Sequence, residues 1–357
     1  LKKTFIMLFF EAKNFIMKKN ISLSVIIILA VLLFSSCETE LDLVGKGDEK
    51  IIVYGLFNIK DSIHYLKINK TFNGNGDAYQ MAKVEDSTLI KEVEVVVNNI
   101  NFDTVSIYSK KSGIFNNPKQ ILYKNYEVIH FSSGSSVEIK VTDKKNNKTV
   151  TAATALVDSL KPNEFEGPHP NNSTNNYIFL RWGDAPQPVT WEKINNAYFI
   201  QVRFLINYIE IDENNIITEH YAPWNIGETA SSERSTRRNP LLKFQSRDIY
   251  FAMKNYIPQK PNINRYFGTK NNPNKHFTVQ LLASDKLLYE FIKLNNLPVS
   301  DYANQDLYQF TNINGGLGMI GSYSISERHH LFSPATADSI ITNPYTSNLN
   351  IQRPVYH

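Results

Sequence analysis

The sequence predicts a mainly β protein, in which an immunoglobulin-like or transthyretin-like β-sandwich is followed by a β-rich domain with two short helices. Residues 92–97 and 137–142 alternate apolar and polar side chains, a period typical of half-buried strands. A polar turn at 143–147 leads into a further strand at 149–155, which predicts a hairpin. Short strands separated by turns, without a convincing helix in the first half, favour a sandwich.

The second half mixes strands and helices. A long strand over residues 198–208 precedes a turn at 212–215 and a returning strand. We expect one helix after Ser246 and another after Ser284, because each serine can cap a helix whose apolar residues recur at helical spacing. The predicted buried side chains of these helices are Ile249, Met253, Tyr256, Leu287, Leu288, Phe291 and Ile292.

Composition divides the chain into five parts. A stretch rich in proline, glycine, asparagine and serine separates the two β-rich regions and is typical of a linker. The predicted parts are a signal peptide at 1–36, an acidic tether at 37–49, the β-sandwich at 50–160, the linker at 161–176 and the C-terminal domain at 177–357.

The first part has the features of a bacterial lipoprotein leader. Its apolar run at 21–34 is too short for a membrane span, which needs about 20 apolar residues, but suits a signal peptide. Basic residues precede the run, and small residues before Cys37 resemble the site at which a lipoprotein is cleaved and lipidated. We expect translation to start at Met17; an unusually long basic leader is the alternative.

Cys37 is the only cysteine of the chain, so no disulfide forms within it and no thiolate site follows. We therefore expect Cys37 to carry the lipid that anchors the protein to the outer membrane. The acids Glu38, Glu40 and Asp42 resemble the surface-export signal of lipoproteins in bacteria of the Bacteroides and Flavobacterium type. This favours a protein that faces the cell exterior; a solvated tether on a protein facing the periplasm is the alternative.

Charge argues against nucleic acid as a partner. The chain has 38 basic and 34 acidic residues, of which five and one lie in residues 1–36, so the remainder carries 33 of each. A neutral protein lacks the basic excess that binds a phosphate backbone.

No motif predicts catalysis, a metal site or a cofactor. The eight histidines lack chelating spacing, and the neighbours His329 and His330 would point to opposite faces of a strand. The glycine-rich segments at 73–77 and 315–318 lack the remaining residues of a calcium loop or a P-loop, and no serine nucleophile elbow occurs. The sequence does not decide whether the chain has a catalytic carboxylate pair for glycoside hydrolysis, because the distance between two carboxylates is set only by the three-dimensional structure.

Tryptophans are the candidate ligand-binding residues. Trp182, Trp191 and Trp224 lie near polar loops of the second half, where exposed rings can stack on sugars or anchor a partner. Trp224, beside a proline after the hairpin, is the best of the three. The alternative is that all three belong to the core.

A short motif of aspartate, a hydroxyl residue and then an aliphatic residue or threonine recurs five times. It resembles the site at which bacteria of this type O-glycosylate exported proteins. The candidate hydroxyls are Ser62, Ser87, Thr104, Ser159 and Ser339.

Several segments together resemble the lipoprotein family catalogued as domain of unknown function 4249. They are Cys-Glu-Thr-Glu-Leu-Asp-Leu at 37–43, Ile-Ile-Val-Tyr-Gly-Leu-Phe at 51–57, Ile-His-Tyr-Leu-Lys-Ile-Asn-Lys at 63–70, Val-Gln-Leu-Leu-Ala-Ser-Asp at 279–285 and Phe-Thr-Asn-Ile-Asn-Gly-Gly-Leu-Gly at 310–318. The resemblance implies an uncharacterised envelope lipoprotein with a β-sandwich in its first half.

The resemblance also implies an association with a TonB-dependent transporter of the outer membrane. Our leading expectation is a non-enzymatic accessory or ligand-binding protein that helps a transporter take up nutrients, with the ligand unspecified. A structural or adhesive surface protein is the alternative, and an envelope hydrolase is a third.

Overall fold

The computed structural model describes residues 49–71, 78–81, 84–108, 120–167, 177–178, 186–231, 233–295 and 311–353. These residues belong to one of the two units into which the chain divides, formed by Asp48–Phe72 and Gly76–His357. The leader, Cys37 and most of the predicted tether lie outside the described residues.

Strands dominate, as the sequence predicts, so the mainly β fold class is confirmed. The strands are β1 (Ile51–Asn58), β2 (Tyr65–Lys70), β3 (Val93–Val97), β4 (Ile100–Ile107), β5 (Gln120–Lys124), β6 (Ser136–Asp143), β7 (Lys148–Ala155), β8 (Phe165–Glu166), β9 (Tyr177–Ile178), β10 (Gln187–Trp191), β11 (Phe199–Ile211), β12 (Ile217–Thr229), β13 (Leu242–Phe244), β14 (Asn264–Phe267), β15 (Phe277–Ser284), β16 (Ile313–Asn314) and β17 (Leu317–Phe332).

One large mixed sheet runs through both halves of the chain in the order β12-β11-β15-β17-β1-β2-β5-β4-β3-β6-β7-β16. Strands β13, β10 and β8 form a second, three-stranded sheet. The central pair, β1 with β17, is parallel, with Gly55 opposite Ile320. The first strand of the described chain is thus held by its last strand.

The described residues form two hydrophobic cores along this sheet. The first is built from the inward side chains of β1 to β7, and it also takes Ile313 and Ile320 from the end of the chain. The second is centred on Phe204 and Phe277 of the long strands β11 and β15. The predicted domain boundary stays a prediction, because residues 168–176 of the linker lie outside the described ranges.

Both predicted hairpins are confirmed, and aspartates form their turns. In the β6–β7 turn, Asp143 Oδ1 accepts hydrogen bonds from the backbone of Lys145 and Asn146. In the β11–β12 turn, Asp212 Oδ1 accepts from Asn214 and Ile216. Short acidic side chains favour such turns because they bond the backbone two to four residues on.

The helices are short: α1 (Ala78–Met81), α2 (Glu85–Thr88), α3 (Asp248–Tyr256), α4 (Lys286–Asn295), α5 (Pro334–Thr342) and a 3₁₀ turn at Ser347–Leu349. The sequence predicts α3 and α4 but not α5, which Ser333 caps by accepting a hydrogen bond from Thr336 N–H. The serine followed by proline is a start signal that could have identified α5.

Details of the two predicted helices differ from expectation. Ser246 does not cap α3, since its hydroxyl accepts a hydrogen bond from Gln187 Nε2 instead. Tyr256 and Ile292 are about half exposed, so the predicted buried stripes are wrong at these positions. Among the described residues, no helix has the length and apolar character needed to cross a membrane.

Candidate functional site

An aromatic groove lies on the outer face of the large sheet, where β2, β1 and β17 run side by side. Strand alternation turns Val53 and Phe57 into the core and leaves Tyr54 and Leu56 facing outward. Tyr65 of β2 also faces outward. Their exposed fractions are 43%, 46% and 44%, so the three large side chains together form an exposed patch on two adjacent strands.

Helix α4 forms one wall of this groove. The groove has a volume of about 450 Å³, and its lining includes Tyr54, Leu56, Tyr65, Phe291, Met319 and Tyr323. The helix approaches β17 closely because Gly321 lies beneath it, where an added Cβ would come within 3.3 Å of Leu288 Cβ.

Asp285 holds α4 in place. Its Oδ1 accepts a hydrogen bond from Leu288 N–H at 2.7 Å, and its Oδ2 accepts from Ser322 N–H of β17 at 2.5 Å. Burial raises the pKa of Asp285, and these hydrogen bonds offset only part of that rise. Asp285 is therefore the cap of α4, and the prediction that Ser284 caps it is wrong.

One end of the groove is polar. Burial raises the pKa of the Tyr323 hydroxyl, the charge of Asp61 raises it further, and a hydrogen bond with the Asn58 side chain opposes both. Tyr323 is thus a neutral hydroxyl at neutral pH, beside a carboxylate. The groove offers an apolar and aromatic floor with hydrogen-bonding groups at one end, a combination suited to binding.

A larger, more polar groove of about 750 Å³ lies across β3, β6 and β7. Its asparagines already stabilise the fold: Asn98 Nδ2 donates to Ser136 C=O, and Asn312 Oδ1 accepts from Ile320 N–H. Since these amides are engaged, the aromatic groove is the better candidate site.

The structure corrects the tryptophan prediction. Trp224 is 5% exposed and packs edge-to-face against Phe204 and Phe244. Trp191 is 1% exposed, and its indole N–H donates to Glu233 C=O. Both therefore belong to the core, which is the alternative stated for them above. Trp182 lies outside the described residues.

Sequence reasoning missed a buried charge network at the β11–β12 hairpin. Glu210 Oε1 accepts hydrogen bonds from the fully buried Arg265, the shortest at 2.7 Å, and Oε2 accepts from Lys260 at 2.8 Å. His220 Nε2 lies 3.6 Å from the same carboxylate. Arg265 also donates to Leu349 C=O, so the network ties the end of the chain to the sheet.

The charges of this network set the ionisation of Glu210. Burial alone would raise the pKa of Glu210, yet hydrogen bonds from Lys260 and Arg265 hold it below its ordinary value. Residues 55 positions apart form the Arg265–Glu210 pair, so no local motif could have revealed it.

His64 packs between Phe57 and Phe131, and on β17 His330 is buried while His329 is partly exposed, as expected of neighbours on a strand. No group of three His, Asp or Glu side chains that could hold a metal occurs within the described ranges.

The candidate glycosylation hydroxyls all lie within the described residues. Thr104 is exposed, and Ser62, Ser87, Ser159 and Ser339 are partly exposed. The carboxylate of Asp158, beside Ser159, is engaged by Ser133 Oγ at 2.6 Å. Modification at these positions stays a prediction.

A family model described as a domain of unknown function, DUF4249, matches residues 38–329. No curated protein and no solved structure matches the chain.

Proposed function

Since the chain belongs to the DUF4249 family, a domain of unknown function, we propose a role for it from its leader and from the aromatic groove. The protein is a surface-exposed outer-membrane lipoprotein that binds a partner or ligand without catalysing a reaction. It serves as an accessory protein of a TonB-dependent transporter in nutrient uptake.

The exposed side chains of the aromatic groove carry this proposal. Tyr54, Leu56 and Tyr65 lie on two hydrogen-bonded strands, so one partner surface can cover all three. Covering a half-exposed side chain of this size contributes roughly 1 kcal/mol, and three together are enough to bias association. Asp61 and Tyr323 at one end add hydrogen-bonding groups that orient the bound partner.

The leader supports the membrane address. Lipidation at Cys37 would leave the 13 residues 38–50 between the lipid and β1. Such a segment spans at most about 45 Å, so the sheet stays close to the membrane and to proteins embedded in it. Acidic residues directly after Cys37 support export to the outer face.

Affinity purification from outer membranes through a C-terminal tag tests partner and location together. We expect a TonB-dependent transporter to copurify with the tagged chain, and added protease to cleave the chain on intact cells. A Cys37→Ala variant should lose its membrane association, since no other cysteine can be lipidated.

A groove variant links the partner to this surface. Tyr54→Ser combined with Tyr65→Ser should lower transporter recovery several-fold, while Tyr108→Ser, at a 70% exposed tyrosine outside the lining of the groove, should leave it unchanged. Isolation of the chain alone would favour an adhesive or structural protein. Resistance to protease in intact cells, with cleavage after lysis, would place the protein in the periplasm.

A further inference from the structure

Strand pairing sets the order of the residues along the aromatic groove. Tyr54 of β1 pairs with Lys67 of β2 on one side and with Met319 of β17 on the other, and all three line the groove. Four residues further along β1, Asn58 pairs with Tyr323. A strand rises about 3.3 Å per residue, so the rows of Lys67 and Tyr323 lie about 13 Å apart.

The Tyr323 end of the groove carries a negative charge. Asp61 belongs to the lining and is exposed. Its Oδ1 accepts a hydrogen bond from Asn58 Nδ2 at 3.4 Å, and its carboxylate forms no ion pair with any of the described residues. The neighbouring ammonium of Lys60 donates instead to Ile325 C=O at 2.9 Å. A carboxylate without a cationic partner thus lies beside the neutral Tyr323 hydroxyl.

The opposite end of the groove carries a positive charge. Lys67 lines it together with Leu122 of β5. A second lysine of β5, Lys124, lies directly opposite both Tyr65 and Asp103, so the carboxylate across from it offsets its charge. The groove is therefore dipolar, with an apolar and aromatic floor between a carboxylate at one end and an ammonium at the other.

We propose that the aromatic groove binds a short apolar peptide with free termini, three or four residues long. Its ammonium group lies beside Asp61, its carboxylate lies beside Lys67, and its side chains cover Tyr54, Leu56 and Tyr65. An extended chain rises about 3.3 Å per residue, so three or four residues span the distance between the two ends. The proposal rests on the function proposed above, because it names the class of ligand that the groove takes up.

Other occupants match the groove less completely. A neutral sugar matches neither charge, and a fatty acid or another simple anion matches only the Lys67 end. An internal segment of a larger protein has no terminal charges, so it would need a basic and an acidic side chain at the right spacing. A free peptide carries both charges about the required distance apart because of its covalent structure.

Isothermal titration calorimetry of the mature lipoprotein in detergent with the tetrapeptide Ala-Leu-Phe-Ala tests the proposal. Acetylating the N-terminus of the peptide should weaken binding about tenfold, the effect of about one lost charge-assisted hydrogen bond, and amidating its C-terminus should weaken binding similarly. The dipeptide Leu-Phe cannot reach both ends of the groove, so it should also bind about tenfold more weakly.

Two variants of the protein assign the termini of the peptide. In Asp61→Asn the free and the acetylated peptide should bind within about twofold of each other, and in Lys67→Gln the free and the amidated peptide should do so, because each variant removes the charge that distinguishes them. Asp86→Asn, at an exposed aspartate outside the lining of the groove, is the matched control. It should keep the preference of about tenfold for the free N-terminus.

Equal binding of the free, acetylated and amidated peptides by the original chain would overturn the proposal, because the groove would then accept an internal segment of a protein. Absence of binding at millimolar peptide would overturn it too, as would a preference for the free N-terminus that persists in Asp61→Asn. Transporter recovery separates these outcomes from the proposed function. If the peptide fails to bind while the transporter still copurifies, only the peptide is refuted; if the transporter is lost while the peptide still binds, only the accessory role is refuted.

Discussion

Replacing His276 with asparagine should remove a large part of the acid sensitivity of this fold. His276 is 2% exposed, and its Nδ1 accepts a hydrogen bond from Phe332 N–H at 3.1 Å. Its other ring nitrogen donates to Pro273 C=O. Both nitrogens are engaged in the neutral form, and a second proton would set two donors, Nδ1–H and Phe332 N–H, against each other.

The magnitude follows from the pKa. Burial lowers the pKa of His276 from 6.5 to about 4, against the smaller opposing effect of the bond to Pro273. The unfolded chain takes up the proton near pH 6.5 and the folded protein only near pH 4, so acid favours unfolding between these values. At about 1.36 kcal/mol per pKa unit, the stabilisation present above pH 6.5 falls by about 3 kcal/mol by pH 4.

Urea unfolding, followed by tryptophan fluorescence from pH 7 to pH 4, measures this effect. In His276→Asn the amide oxygen can still accept from Phe332 N–H, but the side chain does not titrate. The free energy of unfolding should therefore fall less with acid than in the original chain, by about 3 kcal/mol at pH 4. His130→Asn, at an exposed histidine, is the control. An unchanged pH dependence in His276→Asn would refute the reasoning.

Two further predictions concern backbone geometry and buried charge. Gly318→Ala should prevent folding, because Gly318 has φ +106° and an added Cβ would clash with the carbonyl oxygen of Val53 in β1. Gly134→Ala, with φ +77° and open space, should cost only about 1 kcal/mol. Circular dichroism compares the stability of the Gly318→Ala and Gly134→Ala variants. Equal stability would contradict the close approach of β1 and β17. Arg265→Ala should cost about 3 kcal/mol in urea unfolding, because it leaves a buried carboxylate short of a partner. Arg353→Ala, at a mostly exposed ion pair, should change stability by less than about 1 kcal/mol. Equal losses of stability in Arg265→Ala and Arg353→Ala would contradict the reasoning that burial sets the cost of losing an ion pair.

Local patterns in the sequence were sufficient for the hairpins. The alternation before Asp143 and the polar turn after it require only neighbouring residues, and the structure has both. The same holds for the long strand that ends at Ile211 and turns through Asp212. Helix α5 was missed although Ser333 and Pro334 provide a local start signal, so that omission was avoidable.

Other features had no local signal. Trp224 follows an exposed stretch of β12, yet packing against Phe204 places its ring in the core. The aromatic groove arises because β1 pairs with β17, more than 250 residues later, and because α4 lies over Gly321. Strand β12 ends the sheet in the described part of the chain because β11 pairs with the distant strand β15 on its other side.

By itself the sequence determined the β class, the hairpins with their turns, and the expectation of a lipidated Cys37, since periodicity, turn chemistry and the leader each reside in a few adjacent residues. The tertiary structure alone decided which aromatic side chains are exposed, how Glu210 meets Arg265, and which described strand ends the large sheet. Those properties depend on pairings between distant strands, and hydrophobic alternation shows which residues share a face but not which strand lies next to it.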